Sequence, residues 1–144
     1  MKAFLDTNIL LDLLLEREGY EASAQILQLR DEGKIGLCVS ILTMINVAYV
    51  YKKTVGQNAV IPNLKYLSAI VDVLPMDNDT LEQALYMEGK DFEDTMQYLC
   101  AIQNHCDAII TRNGKDYRFS RGLKDLPEPI PVYSPTSFLL IQGL

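Results

Sequence analysis

Short apolar runs alternate along this chain with longer segments of helical periodicity. The runs have the length of buried strands and fall at residues 2–5, 37–39, 70–74 and 108–110. A further run at 130–132 is predicted to be an edge strand, because Pro131 has no amide hydrogen to donate within a central strand. Helical patterns cover residues 8–16, 20–32, 41–54, 57–69, 79–88 and 92–104, and a last helix opens at Pro135. Strands that alternate with helices predict a parallel sheet with helices on both faces.

The composition is that of an ordinary globular protein. With 144 residues, of which 49% are hydrophobic and 22% charged, we expect one domain over residues 1–144. No apolar run is long enough to cross a membrane. Asp6 follows the N-terminus too closely for a signal peptide, so we expect a cytoplasmic protein. The three cysteines include no CxxC pair, which argues against a disulfide framework or a zinc site and favours buried apolar side chains.

The net charge of −6 constrains the partners of the chain. Proteins that bind nucleic acid through its phosphates are usually basic. A phosphate-bearing partner would therefore require a local basic patch or a metal ion on this protein.

Three acids stand where chemistry is expected in such a fold. Asp6 directly follows the first strand, and ligands of open α/β sheets bind outside the carboxyl ends of the strands. Asp91 and Asp94 are spaced to share one face at the start of a helix, whereas Glu93 lies off that face and is expected to be solvated. First-turn acids also stabilise a helix without any further role. If the fold brings these carboxylates together, they repel unless a cation separates them.

Polar residues follow two other predicted strands. Thr111, Asn113 and Asp116 come just after the run at 108–110, while Ser40 and Asn46 follow the run at 37–39. Each group is also explained simply as a turn or a helix cap. Taken together they form an all-oxygen set without His or Cys, which suits Mg²⁺ or Mn²⁺. Such ions serve phosphoryl chemistry by activating water and stabilising the attacking and leaving oxygens.

This ordered series resembles the PIN domain family, and most closely the prokaryotic single-domain proteins that include toxins of VapC-type toxin–antitoxin pairs. The resemblance rests on residues 6–8, Ser40 with the helix at 43–46, residues 91–94 with Gln97 and Ala101, and residues 108–113 with Asp116 and Tyr117. It implies a three-layer α/β/α sandwich with a central, mainly parallel sheet of about four or five strands. It also implies an Mg²⁺- or Mn²⁺-dependent ribonuclease that acts on RNA, often as a homodimer and often inhibited by a small antitoxin protein.

The resemblance assigns roles residue by residue. Asp6 and Asp94 are the metal-binding acids, Asp91 is an accessory acid, and Asp116 is a substitute catalytic acid. Asn8, Ser40 and Thr111 are supporting polar groups, as are Asn46 and Asn113, which stand where the family usually has acids. The two missing charges are expected to weaken metal binding. Candidates to bind the phosphates of the substrate are Arg112, Lys52 and Lys53, each of which could equally be a solvated cation.

Other functions fit the sequence less well. A catalytically weakened or inactive scaffold that binds RNA or a protein stays open because of Asn46 and Asn113. A phosphoacceptor receiver domain would have adjacent acids after the first strand, and a haloacid-dehalogenase-type phosphatase would have an acid in place of Asn8. The chain contains neither GxGxxG nor GxxxxGK, so dinucleotide and P-loop binding have no support.

Overall fold

The computed structural model describes residues 1–117 and 130–143, except for the side chains of residues 115 and 116. Its centre is a five-stranded sheet in the order β3-β2-β1-β4-β5, in which every pair of neighbouring strands is parallel. The strands are β1 (Lys2–Leu5), β2 (Gly36–Ser40), β3 (Asp72–Leu74), β4 (Ala108–Ile110) and β5 (Val132–Tyr133). The predicted fold class is therefore confirmed, and β1 is the central strand.

Seven α-helices connect and cover the strands in the described part of the chain. Most of their starts are set by a side-chain cap, as at Asp6, Ser40, Asp91 and Ser134. The helices are α1 (Thr7–Leu15), α2 (Tyr20–Asp31), α3 (Ile41–Thr54), α4 (Val60–Ile70), α5 (Asn78–Met87), α6 (Phe92–Gln103) and α7 (Pro135–Ile141).

The alternation of side chains along the strands divides the core into two parts. Ala3 and Leu5 point to the face that is covered by α1, α2, α3, α4 and α7. Phe4 points to the opposite face, where it packs with Tyr98 and Ala101 of α6. Helix α5 packs on α6 through Ala84, Met87 and Leu99, which completes the third layer.

The predicted boundaries need four corrections. The segment at 57–69 is a 3₁₀ turn (Gln57–Ala59) followed by α4, and Pro62 is tolerated because it lies in the first helical turn, where amides have no intrahelical partner. Strand β3 starts at Asp72 because α4 continues to Ile70. The edge strand is Val132–Tyr133, preceded by Pro131, whose carbonyl accepts a hydrogen bond from Ile109. The predicted loop at 113–129 contains a 3₁₀ turn over Gly114–Tyr117, and residues 118–129 lie outside the described part.

One smaller expectation is also confirmed. The cysteines Cys38, Cys100 and Cys106 are free and buried, as predicted. Within residues 1–117 and 130–143, no helix combines the length and the apolar character that crossing a membrane requires.

Candidate functional site

Asp6 stands at the carboxyl end of the central strand. Its neighbours at this edge are Ser40, which ends β2, and Thr111, which follows β4. The order of the strands therefore brings residues from three distant parts of the sequence to one place.

A cavity of about 260 Å³ opens at this edge of the sheet. Most of its walls come from the starts of α1 and α6, one face of α3 and the segment after β4. The lining residues are Asp6, Thr7, Asn8, Leu11, Asn46, Tyr49, Val50, Glu93, Asp94 and Asn113. Four predicted site residues besides Asp6 thus line the cavity, namely Asn8, Asn46, Asp94 and Asn113.

The carboxylate of Asp6 is held at both oxygens. Oδ1 accepts a hydrogen bond of 2.7 Å from the amide of Thr7, where Asp6 caps α1. Oδ2 accepts a bond of 2.8 Å from the hydroxyl of Thr111, which in turn accepts one of 3.2 Å from the amide of Asn113. Asp6 therefore has a fixed orientation at the cavity, and Thr111 supports it from behind.

The predicted acids of α6 take different positions. Asp94 lies in the first turn, is half-buried and lines the cavity. Asp91 caps the helix by accepting a hydrogen bond of 3.0 Å from the amide of Asp94, is exposed, and is outside the set that lines the cavity. The side chain of Asp116 lies outside the described residues, so its predicted role stays a prediction.

Glu93 is exposed, as predicted, and it also lines the cavity. Its Oε1 accepts a hydrogen bond of 2.7 Å from the side-chain amide of Asn46 on α3. Partial burial, followed by the negative charge of Asp91, raises the pKa of Glu93, and the bond from Asn46 offsets part of this effect. The structure thus places the carboxylate of Glu93 next to the uncharged amide of Asn46.

A buried hydrogen-bond network lies behind the cavity and centres on Gln97 of α6. The side chain of Gln97 is fully buried and donates a bond of 2.8 Å to Thr43. It accepts one of 2.5 Å from Ser40, while Thr43 and Thr7 share a bond of 2.9 Å. Ser40 is therefore a structural cap and network member rather than a cavity residue. The network fixes α1, α3 and α6 relative to one another.

Tyr117 brings a buried hydroxyl close to the same acids. Its ring packs in the core beneath α6, and the hydroxyl oxygen makes no hydrogen bond of good geometry in the described part of the chain. Burial, followed by the charges of Asp6 and Asp94 and by an interaction of the hydroxyl with the carboxylate of Asp6, raises its pKa. The phenol therefore stays protonated and keeps a hydrogen to donate.

The predicted phosphate-binding cations are spread around the site. The Nε of Arg112 is 3.1 Å from Oδ2 of the buried Asp12, so Arg112 is held against α1. Lys53 lies over the ring of Tyr49, a cavity residue, with its Nζ 4.6 Å from the ring centroid. Lys52 is exposed in the last turn of α3.

The side-chain atoms in this cavity that could bind a metal ion are carboxylate and amide oxygens. Hard divalent cations prefer such donors, and Mg²⁺ is often held by only one or two protein carboxylates together with substrate phosphates. Within the described residues, no three side chains of His, Cys, Asp or Glu are grouped closely enough to hold a metal by themselves. The residues present therefore fit an ion that shares its coordination between Asp6, Asp94 and a substrate.

Sequence reasoning missed the contact of Glu93 with Asn46, the hydrogen bonds of Gln97 and the ion pairs of Asp12. The position of Glu93 was predicted from the geometry of α6 alone, which does not show that Asn46 of α3 contacts it. The sequence did carry a signal for Gln97, because a polar side chain that becomes buried when α6 packs needs hydrogen-bond partners. Asp12 carried one too, as an acid within the apolar helix α1.

Comparisons with known proteins agree with the fold. A model of the PIN domain family matches residues 2–115. The chain is 29% identical over 122 residues to "Ribonuclease VapC1" of Aquifex aeolicus (strain VF5), which covers 81% of this chain and 84% of that relative. Its fold is similar to DNA-bound VapBC from Salmonella typhimurium, with a TM-score of 0.68 and 15% identity over 94% of this chain and 98% of that one. It is also similar to a toxin–antitoxin complex from Klebsiella pneumoniae, with a TM-score of 0.63 and 24% identity over 92% of this chain and 97% of that one.

Proposed function

Because the chain belongs to the PIN domain family, we propose that it is a metal-dependent ribonuclease that hydrolyses the phosphodiester bonds of RNA. The observation that carries this proposal is that Asp6 and Asp94, far apart in sequence, line one cavity at the carboxyl edge of the sheet. The relative named as a ribonuclease supports the choice of reaction.

Mg²⁺ or Mn²⁺ is the cofactor that the carboxylate and amide oxygens of the cavity favour. Asp6 and Asp94 would hold it, with Asp91 and Asp116 as accessory acids. Asn8, Asn46 and Asn113 offer amide oxygens to the ion or to its water shell. When bound, the ion supplies an activated water and stabilises the charge on the attacking and leaving oxygens.

Hydrogen bonds within the chain orient the carboxylate of Asp6 before any substrate binds. Thr111 and the amide of Thr7 hold both oxygens of Asp6, which fixes the direction of its lone pairs. Hydrogen bonds of this kind to metal-binding side chains typically decide affinity and activity. Arg112 and Lys53, and more distantly Lys52, are placed to attract the RNA backbone towards a chain whose net charge is −6.

We further propose a protein partner and self-association. The similar fold from Klebsiella pneumoniae was solved as a toxin–antitoxin complex, and we propose that this chain likewise binds a small antitoxin protein in the cytoplasm. Ile41, Ile45 and Tyr49 form an exposed apolar stripe along α3, which supports a homodimer. Leu10, Leu11 and Val47, which are also apolar residues of α1 and α3, are buried in the core and are not part of this stripe.

A second candidate function is a PIN scaffold that binds RNA or a protein partner without cleaving RNA. The observation in its favour is that Asn46 and Asn113 both line the cavity and bring no charge to it. Fewer charges mean weaker attraction for a divalent cation.

Cleavage of RNA by chelator-treated protein tests the main proposal. We expect cleavage of a labelled single-stranded RNA only after Mn²⁺ or Mg²⁺ is restored, and none by Asp6→Asn. The matched control is Asp31→Asn, which removes the same charge from an exposed position at the end of α2. Equal cleavage by wild type and Asp6→Asn would overturn the proposal. Binding of RNA without cleavage in the presence of metal would favour the scaffold.

A further inference from the structure

Two arginines converge on one buried acid beside the cavity. Asp12 lies in α1, and its side chain is only 3% exposed. The Nε of Arg112 is 3.1 Å from its Oδ2, and Nη1 of Arg17 is 3.9 Å from its Oδ1. In the part of the chain that the structure describes, this Oδ1 has no hydrogen-bond partner.

This group carries an excess of positive charge. Two guanidinium groups share one carboxylate, and both arginines stay partly exposed, with 42% and 36% of their side chains accessible. The other ion pairs of the described residues, Arg30–Asp31 and Lys34–Glu32, each match one cation with one acid. An anion that bound between the two guanidinium groups would relieve their mutual repulsion.

The backbone that carries Asp12 and Arg112 adjoins the cavity. Leu11 and Asn113 line the cavity, and they are the chain neighbours of Asp12 and Arg112. Because Nε of Arg112 is already engaged by Asp12, its terminal amino groups are the ones left to bind a ligand. Guanidinium groups with a fixed orientation bind phosphate through two parallel hydrogen bonds.

We propose that Arg17 and Arg112 form a binding site for a phosphate of the RNA strand next to the cavity, and that Asp12 is the positioning residue that orients them. This inference rests on the proposed ribonuclease function and names a contact of its substrate. The bound phosphate belongs to a nucleotide beside the bond that is cleaved, since the arginines flank the cavity rather than line it. Asp12 does not touch the RNA.

A pair of charge-neutral double variants tests the inference. The first, Asp12→Asn with Arg112→Gln, removes the acid together with one arginine, so net charge is unchanged and no acid is left buried without a partner. The matched control, Arg30→Gln with Asp31→Asn, removes an exposed ion pair of 2.9 Å near the opposite edge of the sheet. Both are made in the Asp6→Asn background, and binding of a fluorescent single-stranded RNA without divalent metal is measured by anisotropy over a series of salt concentrations.

We expect the first double variant to bind RNA about fivefold more weakly, with a salt dependence of log K reduced by about 0.7, the value for one lost phosphate contact to a single strand. The control should match its parent. Arg17→Gln alone should show a similar reduction. Asp12→Asn alone should also bind more weakly, although it adds a positive charge, because the arginines lose their orientation.

The outcomes separate this inference from the proposed function. Equal binding by the two double variants, or tighter binding by Asp12→Asn, would overturn the inference and leave the ribonuclease proposal standing. If the Asp6→Asn protein binds no RNA while wild type cleaves none, both proposals fail together. Thermal melting of each variant confirms that the binding experiment is performed on folded protein.

Discussion

The hydroxyl of Thr111 donates a hydrogen bond of 2.8 Å to Oδ2 of Asp6 and so joins the ends of β4 and β1 at the edge of the sheet that holds the cavity. Thr111 is buried, and its oxygen also accepts from the amide of Asn113. The position of the acid is therefore set by a neighbouring strand as well as by its own helix cap.

Replacing Thr111 with valine keeps the shape of the side chain and removes the hydroxyl. Asp6 would then turn more freely, and we expect metal-dependent cleavage to fall by about 10–100-fold, as is typical when a group that orients a metal ligand is lost. The measurement is kcat/KM with RNA at saturating Mn²⁺. Thr136→Val, at an exposed position of α7, is the control. Undiminished activity of Thr111→Val would show that the bond to Asp6 has no role in catalysis.

Asn46→Asp places a carboxylate where the amide of Asn46 now contacts Glu93 across 2.7 Å. The variant loses one hydrogen bond and gains a repulsion, which we expect to cost about 1 kcal/mol and lower the melting temperature by about 3 °C without metal. Mn²⁺ should then raise the melting temperature of this variant more than that of wild type, because a cation relieves the repulsion. The double variant with Glu93→Gln should lose both effects. An unchanged melting temperature without metal would contradict the contact between these side chains.

Tyr117→Phe removes a buried hydroxyl that makes no hydrogen bond of good geometry among the described residues, although it lies close to the carboxylate of Asp6. Burying such a group costs about 1–3 kcal/mol, so its removal should leave the free energy of unfolding unchanged or increase it by about 1 kcal/mol. Urea denaturation measures this, with the exposed Tyr66→Phe as the control. A loss of stability in Tyr117→Phe alone would show that the hydroxyl is satisfied in the folded protein.

Gln97→Leu has a similar volume and cannot take part in the network with Ser40 and Thr43. Their hydroxyls stay buried and lose partners, which we expect to destabilise the fold by about 2–3 kcal/mol. Gln25→Leu, on the exposed face of α2, should change stability far less. Comparable urea midpoints for the two variants would argue against a structural role for the network.

Much of the fold followed from local signals. The strand at 2–5, the strand at 108–110 and the helix at 41–54 were predicted with their observed bounds, because apolar runs and a serine cap mark them clearly. Errors occurred where tertiary contacts decide the outcome. The end of α4 displaces the start of β3, and Val132–Tyr133 is a strand because its backbone pairs with β4.

The site was predictable in part. Asp6 and Asn113 follow strands, so the carboxyl-edge rule placed them correctly. The exposure of Glu93 was predicted correctly, but its contact with Asn46 was not, because that contact depends on how α3 and α6 pack. The pairing of Asp12 with Arg112 likewise joins residues that only the order of the strands brings together.

Calorimetric titration of Mn²⁺ into metal-free protein tests the central claim most directly, because that claim is that oxygens of Asp6 and Asp94 share one cation site. We predict saturable binding by wild type and by Asp31→Asn, and at least about tenfold weaker binding by Asp6→Asn and by Asp94→Asn. Identical binding in all four proteins, or no binding by wild type, would contradict the account.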